Sequence, residues 1–255
     1  MDAYERSMRA MPVREHVEAH SFLRLLGTVS GEPVLDMGCG TGLYARRLKA
    51  MGAARVVGAD ASAVMVARAR SYEERAGQGI RYVQWDVAAQ APDAVGLAGA
   101  FSTVTAVYLL PYASSWEGLL GMCRAARLAL RPGGGRFVTA VLNPDVATDP
   151  QWYGAYGMSI SIADTGRDGS PGHLTAQVGP DVVEVDFSYW SREAHERALR
   201  AAGFATVRWS RPTVSEAGRR RFGDAYWRRY LDRPHTLILE ARAEASDSVL
   251  RSPAP

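Results

Sequence analysis

A short apolar run, Pro33-Val34-Leu35-Asp36-Met37, breaks into three alternating glycines, Gly38, Gly40 and Gly42, and then into a helical pattern from Leu43 to Met51. A strand that enters a helix through so bare a turn belongs at the carboxyl edge of a parallel sheet, because each parallel neighbour needs a helical crossover. The alternation recurs. Arg55-Val56-Val57-Gly58-Ala59 reads as a second buried strand, and Ser62 caps a helix to about Arg75 with Val64, Met65 and Ala69 on its inner side. Ile80 to Trp85 and Ala100 to Val107 supply two more strands. Trp116 to Leu130 is helical, and a turn at Pro132-Gly133-Gly134-Gly135 leads to a fifth strand, Arg136 to Val141. The pattern predicts an α/β fold: a doubly wound, seven-stranded, mostly parallel sheet with helices on both faces.

Ahead of the sheet, His16 to Leu26 predicts a helix that stops at Gly27. After the fifth strand, Asn143 to Pro180 lapses into Pro, Gly, Asp and aromatic residues, which reads as an irregular loop or a small inserted cap. Val182 to Tyr189 alternates and predicts an antiparallel strand of that cap. Helices from Ser191 and from Glu216 and strands Phe204 to Trp209 and His235 to Glu240 complete the sheet. The expected organisation is an N-terminal helical segment (1–30), one α/β domain (31–242) with its insertion at about 143–190, and a disordered tail (243–255).

Composition removes other classes. With 255 residues, 47% hydrophobic and 22% charged, the chain suits a single domain with a sizeable core. Thirty basic against twenty-seven acidic residues leave a formal charge of +3, too balanced for a phosphate-gripping surface, so no nucleic-acid partner is expected. Cys39 and Cys123 are the two cysteines and form no CxxC pair; His16 and His20 share a helix face without an HExxH motif and read as solvated. No metal site is expected. No apolar run approaches the ~18 residues of a membrane span, which makes the cytoplasm the expected compartment.

The glycine turn carries the chemistry. Dinucleotide loops read GxGxxG and serve a pyrophosphate. Here Leu43 stands where the third glycine would be, and Asp36 would repel a phosphate but suits an ammonium; an NAD-dependent dehydrogenase is disfavoured. Asp60 stands at the tip of the second strand, where a carboxylate can accept both ribose hydroxyls, and Asp86 closes the third. One such Asp is often only a helix cap or a solvated turn. Three at successive strand ends form a constellation.

With these residues in view, Val34 to Val141 resembles the class I (Rossmann-like) S-adenosylmethionine-dependent methyltransferases, with Val34 to Gly42 as their first motif. The resemblance implies S-adenosyl-L-methionine as cofactor and S-adenosyl-L-homocysteine as product. It implies that Asp36, Gly38 and Gly40 hold the methionine end, Asp60 the ribose and Asp86 the adenine amino group, with Cys39, Ala61, Met65, Val87 and Val107 alongside. An N-terminal segment acting as a lid over the cofactor is also implied.

The runs TAVYLLPYA, YGAYG and SYWSRE are further similar to the toxoflavin-synthase-like group of small bacterial methyltransferases. That similarity implies a heteroaromatic, indole-like or isoprenoid acceptor from secondary metabolism. No Asn-Pro-Pro-Tyr follows the fourth strand, which also favours a free metabolite over nucleic acid or protein. Tyr108, Tyr112 and, as a general base, His173 are the catalytic candidates, because in-line methyl transfer asks mainly for alignment and dryness. Trp152, Tyr153, Tyr156, Tyr189, Trp190, Tyr226 and Trp227 are read either as an acceptor box or as packing of the cap. Arg219, Arg220, Arg221, Arg228 and Arg229 are read as a grip for an acceptor carboxylate or diphosphate, or as a charged helix face at a homo-oligomer contact. The alternative to an enzyme is a non-catalytic S-adenosylmethionine-binding protein.

Overall fold

The computed structural model describes residues 10–244; Tyr4, the rest of the first nine residues and the expected tail beyond 244 lie outside it. Each apolar run forms a strand: β1 (Pro33–Met37), β2 (Arg55–Asp60), β3 (Arg81–Gln84), β4 (Thr103–Val107) and β5 (Gly135–Leu142). The helices between them are α2 (Leu43–Ala50), α3 (Ala63–Ala76) and α4 (Trp116–Ala129), preceded by α1 (His20–Leu26). Serines start the helices: Ser62 and Ser115 side chains accept from backbone N–H groups of Met65 and Gly118 at 3.3 and 3.1 Å. Each satisfies a donor that the helix itself leaves unpaired.

Later come α5 (Arg192–Ala201), β9 (Thr206–Ser210), α6 (Glu216–Asp232) and β10 (Thr236–Ala243). The strand order is β3-β2-β1-β4-β5-β10-β9, with β10 antiparallel to both neighbours and the other pairs parallel. This is the expected seven-stranded, doubly wound sheet. Alternation along β1 sends Leu35 and Met37 into the apolar layer under α4 and α5, and Val34 into the layer under α1, α2 and α3. No described helix is long and apolar enough to cross a membrane.

Of the two readings of 143–180 the structure takes the inserted cap: β7 (Ser170–Val178) pairs with β6 (Met158–Ile162) on one side and β8 (Asp181–Tyr189) on the other in a separate antiparallel sheet. Gly169, Gly172 and Pro171 hid β7 from a composition-based reading. One expectation changes on α3: Val64 is 60% exposed, and Val66 takes the inner place beside Ala69. A helix entered through a Ser62 cap turns its first residues outward before the stripe begins.

The N-terminal segment docks by burying charge. A π-helical turn, Arg14–Ala19, runs directly into α1, and such turns cluster at functional places. Its Glu18 is buried, 2.9 Å from Arg14 and 3.3 Å from His235 Nε2. The same His235 nitrogen lies 3.2 Å from the Tyr108 hydroxyl, while Nδ1 meets the Tyr230 hydroxyl at 2.9 Å. Burial opposes the charge on Glu18, yet Arg14 and His235 together hold its carboxyl down at about 2. His16, expected on a solvated face, instead packs against Phe222 and Trp227 and bonds Ser215 at 3.0 Å.

Replacing Glu18 by Ala removes the buried carboxylate that faces Arg14 and His235. The expected loss is about 3–5 kcal/mol, read from the urea midpoint at pH 7. Because the folded-state carboxyl titrates below its ordinary value, that contribution is present above the usual carboxylate range. It is lost as pH falls from about 4.5 through about 2, so the gap between wild type and Glu18→Ala narrows over that window.

Candidate cofactor and acceptor site

The sheet order places β1 between β2 and β4, where successive connections leave in opposite directions and open a crevice at the carboxyl ends. A cavity of about 540 Å³ fills that crevice. Asp36, Gly38, Cys39 and Gly40 line it from the end of β1, and Asp60, Ala61 and Met65 from the end of β2. Asp86 and Val87 follow β3, and Val107 ends β4. All ten residues expected at the cofactor therefore meet on one cavity.

Local forces explain the arrangement. Gly38, Gly40 and Gly42 take positive φ of 68°, 53° and 86°, a region that costs an ordinary residue roughly 1–2 kcal/mol. At Gly42 space is also denied: a Cβ would lie 2.3 Å from the Tyr82 hydroxyl. Gly40 has nothing within 4 Å of that position, so its bare face looks onto open space. Its N–H donates to Asp60 Oδ2 at 2.8 Å, and Ser62 N–H donates to Oδ1 at 2.9 Å, fixing the β2 carboxylate against the glycine turn. Asp86 is likewise held by Ala88 N–H at 3.0 Å, and the buried Trp85 indole pins the same turn through the Gln90 carbonyl at 3.0 Å.

Asp36 is the exception. It is 2% exposed; Thr105, its register partner on β4, donates to Oδ1 at 3.0 Å, and Oδ2 is buried with no hydrogen-bond partner. Burial pushes this carboxyl up to about 7; the Thr105 bond and the Ala45 backbone N–H work against that, and nearby Asp60 adds to it. A buried carboxylate with one idle oxygen facing a cavity is what an ammonium group would satisfy.

The other half of the cavity is apolar. Tyr108, Leu109 and Tyr112 line it from the chain after β4, Met122 from α4, and Val183 and Val185 from β8 of the cap sheet. Tyr108 has φ 58°, the one positive value at a non-glycine among the described residues, and its hydroxyl is held by His235. Two of the three catalytic candidates thus border the cavity. His173 does not: it lies on β7, bonded to the exposed Asp186 at 2.7 Å. The expected aromatic box also divides. Tyr153, Tyr156, Tyr189 and Trp227 pack in the core under the cap, Trp190 joins the sheet core, and neither they nor Trp152, Tyr226 or the arginines of α6 line the cavity. Trp85, Leu109, Met122, Val183 and Val185 were not singled out from sequence; only the alternation of β8 hinted at the last two.

Residues 34–134 match the family described as a methyltransferase domain. A stretch of 128 residues is 33% identical to a sterol 24-C-methyltransferase of Eremothecium gossypii, covering 49% of this chain and 31% of that protein. The chain thus spans under a third of the length of the curated relatives it matches. An S-adenosylmethionine-dependent methyltransferase structure from Mesorhizobium loti superposes with a TM-score of 0.63 at 21% identity, covering 92% of this chain and 99% of that one. The CcbJ methyltransferase from Streptomyces caelestis gives 0.56 at 21% identity, with 89% and 94% covered. These likenesses show the class I methyltransferase fold.

In the ligand-free protein, Asp36→Asn removes an acid whose charge the fold disfavours. The folded carboxyl titrates above its ordinary value, so its penalty is absent below about pH 3.8, grows as pH rises from there, and is complete above about 7. Asp36→Asn is therefore expected to melt higher than wild type at pH 8, by about 2–4 °C per kcal/mol relieved, with the gap narrowing as pH falls from about 7 towards about 3.8. A lower melting temperature at pH 8 would mean that the carboxylate is already paired.

Proposed function

We propose that this chain, through its methyltransferase domain, uses S-adenosyl-L-methionine to methylate N, C or O of a small metabolite. The observation that carries the reading is the convergence of Asp36, Asp60 and Asp86 on one cavity, with Asp36 Oδ2 buried and idle. The cofactor would supply an electrophilic methyl on a sulfonium; as the acceptor atom bonds to it the carbon–sulfur bond breaks, leaving neutral S-adenosyl-L-homocysteine, and an acceptor proton departs to solvent.

The chain's own residues bind, align and keep dry. Asp36 accepts the ammonium, Asp60 the ribose hydroxyls, and Asp86 with Val87 the adenine edge. Tyr108 and Tyr112 offer ring faces on the acceptor side, where π density favours a neighbouring positive charge. Val183 and Val185 wall the same half against water. The division into a lid (1–30), a transfer domain (31–242) with its cap at about 143–190, and a tail (243–255) is part of this reading. So is an acceptor of heteroaromatic or isoprenoid type from bacterial secondary metabolism.

The alternative, a binding protein without catalysis, is disfavoured by the apolar half of the cavity, which the adenosyl half does not need. Calorimetry should detect S-adenosyl-L-methionine binding that is full above about pH 7. Below that the affinity should fall towards tenfold per pH unit, because Asp36 must ionise to accept the ammonium. Asp60→Ala should weaken binding by about 1.5–3 kcal/mol. Release of S-adenosyl-L-homocysteine with a panel of heteroaromatic and isoprenoid acceptors separates enzyme from binding module; absence of any adenosyl binding would end both.

A further inference from the structure

The two halves of the cavity differ in charge as well as in polarity. Its three carboxylates sit at the tips of β1, β2 and β3, and among the described residues no Lys, Arg or His lines it. Arg14 is engaged behind Tyr108, 2.9 Å from Glu18. The arginines of α6 do not line it, and four of them have other partners: Arg219 pairs with Asp224, Arg220 with Glu216, Arg221 with the Phe222 ring and Arg229 with the Trp152 ring. A diphosphate or carboxylate on the acceptor would thus shed its water beside Asp36, Asp60 and Asp86 and gain no counter-ion from the described residues that line the cavity. A cationic acceptor fares no better, since the three acids are taken by the cofactor and its sulfonium repels a second positive charge. Burial pushes the Tyr108 and Tyr112 hydroxyls up, so neither wall residue becomes charged near neutral pH.

What remains to meet the acceptor is a pair of tyrosine rings, Leu109 and Met122, joined by two valines of one strand. Along β8 the side chains alternate: Val182 is 59% exposed, whereas Val183 and Val185 are partly buried and border the cavity. β8 also packs against the turn Leu110–Tyr112, so the cap sheet and the chain after β4 together wall the apolar half. We propose that the acceptor enters as an uncharged, largely apolar ring and that Val183 and Val185 select it. The inference rests on the methyl-transfer reading, because the cofactor is what occupies the acidic half.

The test uses the full chain saturated with S-adenosyl-L-homocysteine and titrated by calorimetry at pH 7 with 2-naphthol and with 2-naphthoate, one bicyclic ring in neutral and anionic form. 2-Naphthol should bind at least about tenfold more tightly. Val185→Asp should weaken 2-naphthol at least about tenfold, while Val182→Asp, on the outer face of the same strand, should change it less than about twofold. Equal or tighter binding of 2-naphthoate, no binding of 2-naphthol to the loaded chain, or equal effects of the two substitutions would overturn the proposal. Should Val185→Asp fail to fold by its melting curve, the wild-type comparison of the two probes decides alone. Failure of S-adenosyl-L-homocysteine itself to bind would instead remove the methyl-transfer reading, and this inference with it.

Discussion

A carboxylate with one idle oxygen, buried at the point where the sheet reverses its winding, is the constraint around which the site is arranged. Asp36 could have been neutralised by any basic neighbour. The residues across the ladder are instead Gly58 and Thr105, one without a side chain and one able to occupy a single oxygen. Apolar packing on both faces of β1 fixes the strand so firmly that the acid cannot swing to solvent. The fold thus carries a group whose charge is unfavourable until a proton or a cation meets it, the usual conflict between stability and function at a binding site. The glycine turn serves the same end, since Gly40 leaves open the side from which that ligand would arrive.

A second concentration of local cost lies a few ångströms beyond β4. A π-helical turn, a left-handed tyrosine and a buried ionised glutamate are each uncommon, and here they touch: Glu18 of the turn contacts His235, which holds the Tyr108 hydroxyl. Strained conformations persist only where the surroundings over-determine them. The surroundings here are charge and hydrogen bonds, with Arg14 neutralising Glu18 and Tyr230 occupying the other imidazole nitrogen. The result is a rigid side wall for the cavity, built from the N-terminal segment and β10, elements far apart in sequence.

That separation explains what the sequence could and could not disclose. β1 to β5 and the helices between them are legible because each is one periodic run bounded by a serine cap or a glycine, and Asp36, Asp60 and Asp86 follow because strand tips are fixed once strands are. The cap was only half legible. β8 alternates cleanly, but β7 contains Gly172 and Pro171, and the Phe187 ring lies so close over Gly172 that a Cβ there would be 2.3 Å away. The glycine that looked like a loop signal is a packing requirement. His173 and the arginines of α6 were plausible by residue type alone, and type says nothing of direction; His173 turns to Asp186 and the arginines to neighbouring acids or rings. The Arg14–Glu18–His235–Tyr108 cluster had no local signal, because its members meet only through the tertiary fold.

The division of labour in the cavity follows from the same geometry. Cofactor-facing residues stand at the tips of adjacent parallel strands, where register leaves little freedom: moving Asp60 or Asp86 would mean shifting a whole strand and turning its apolar face outward. The acceptor wall is different. Val183 and Val185 sit on a small antiparallel sheet inserted between β5 and α5, which makes no ladder with the main sheet. In the proposed reading, substitution there would alter the chamber without disturbing the acids, so the acceptor could change while the hold on the methyl donor stays. The same reading would place selectivity on an element that shares no ladder with the strands carrying the acids.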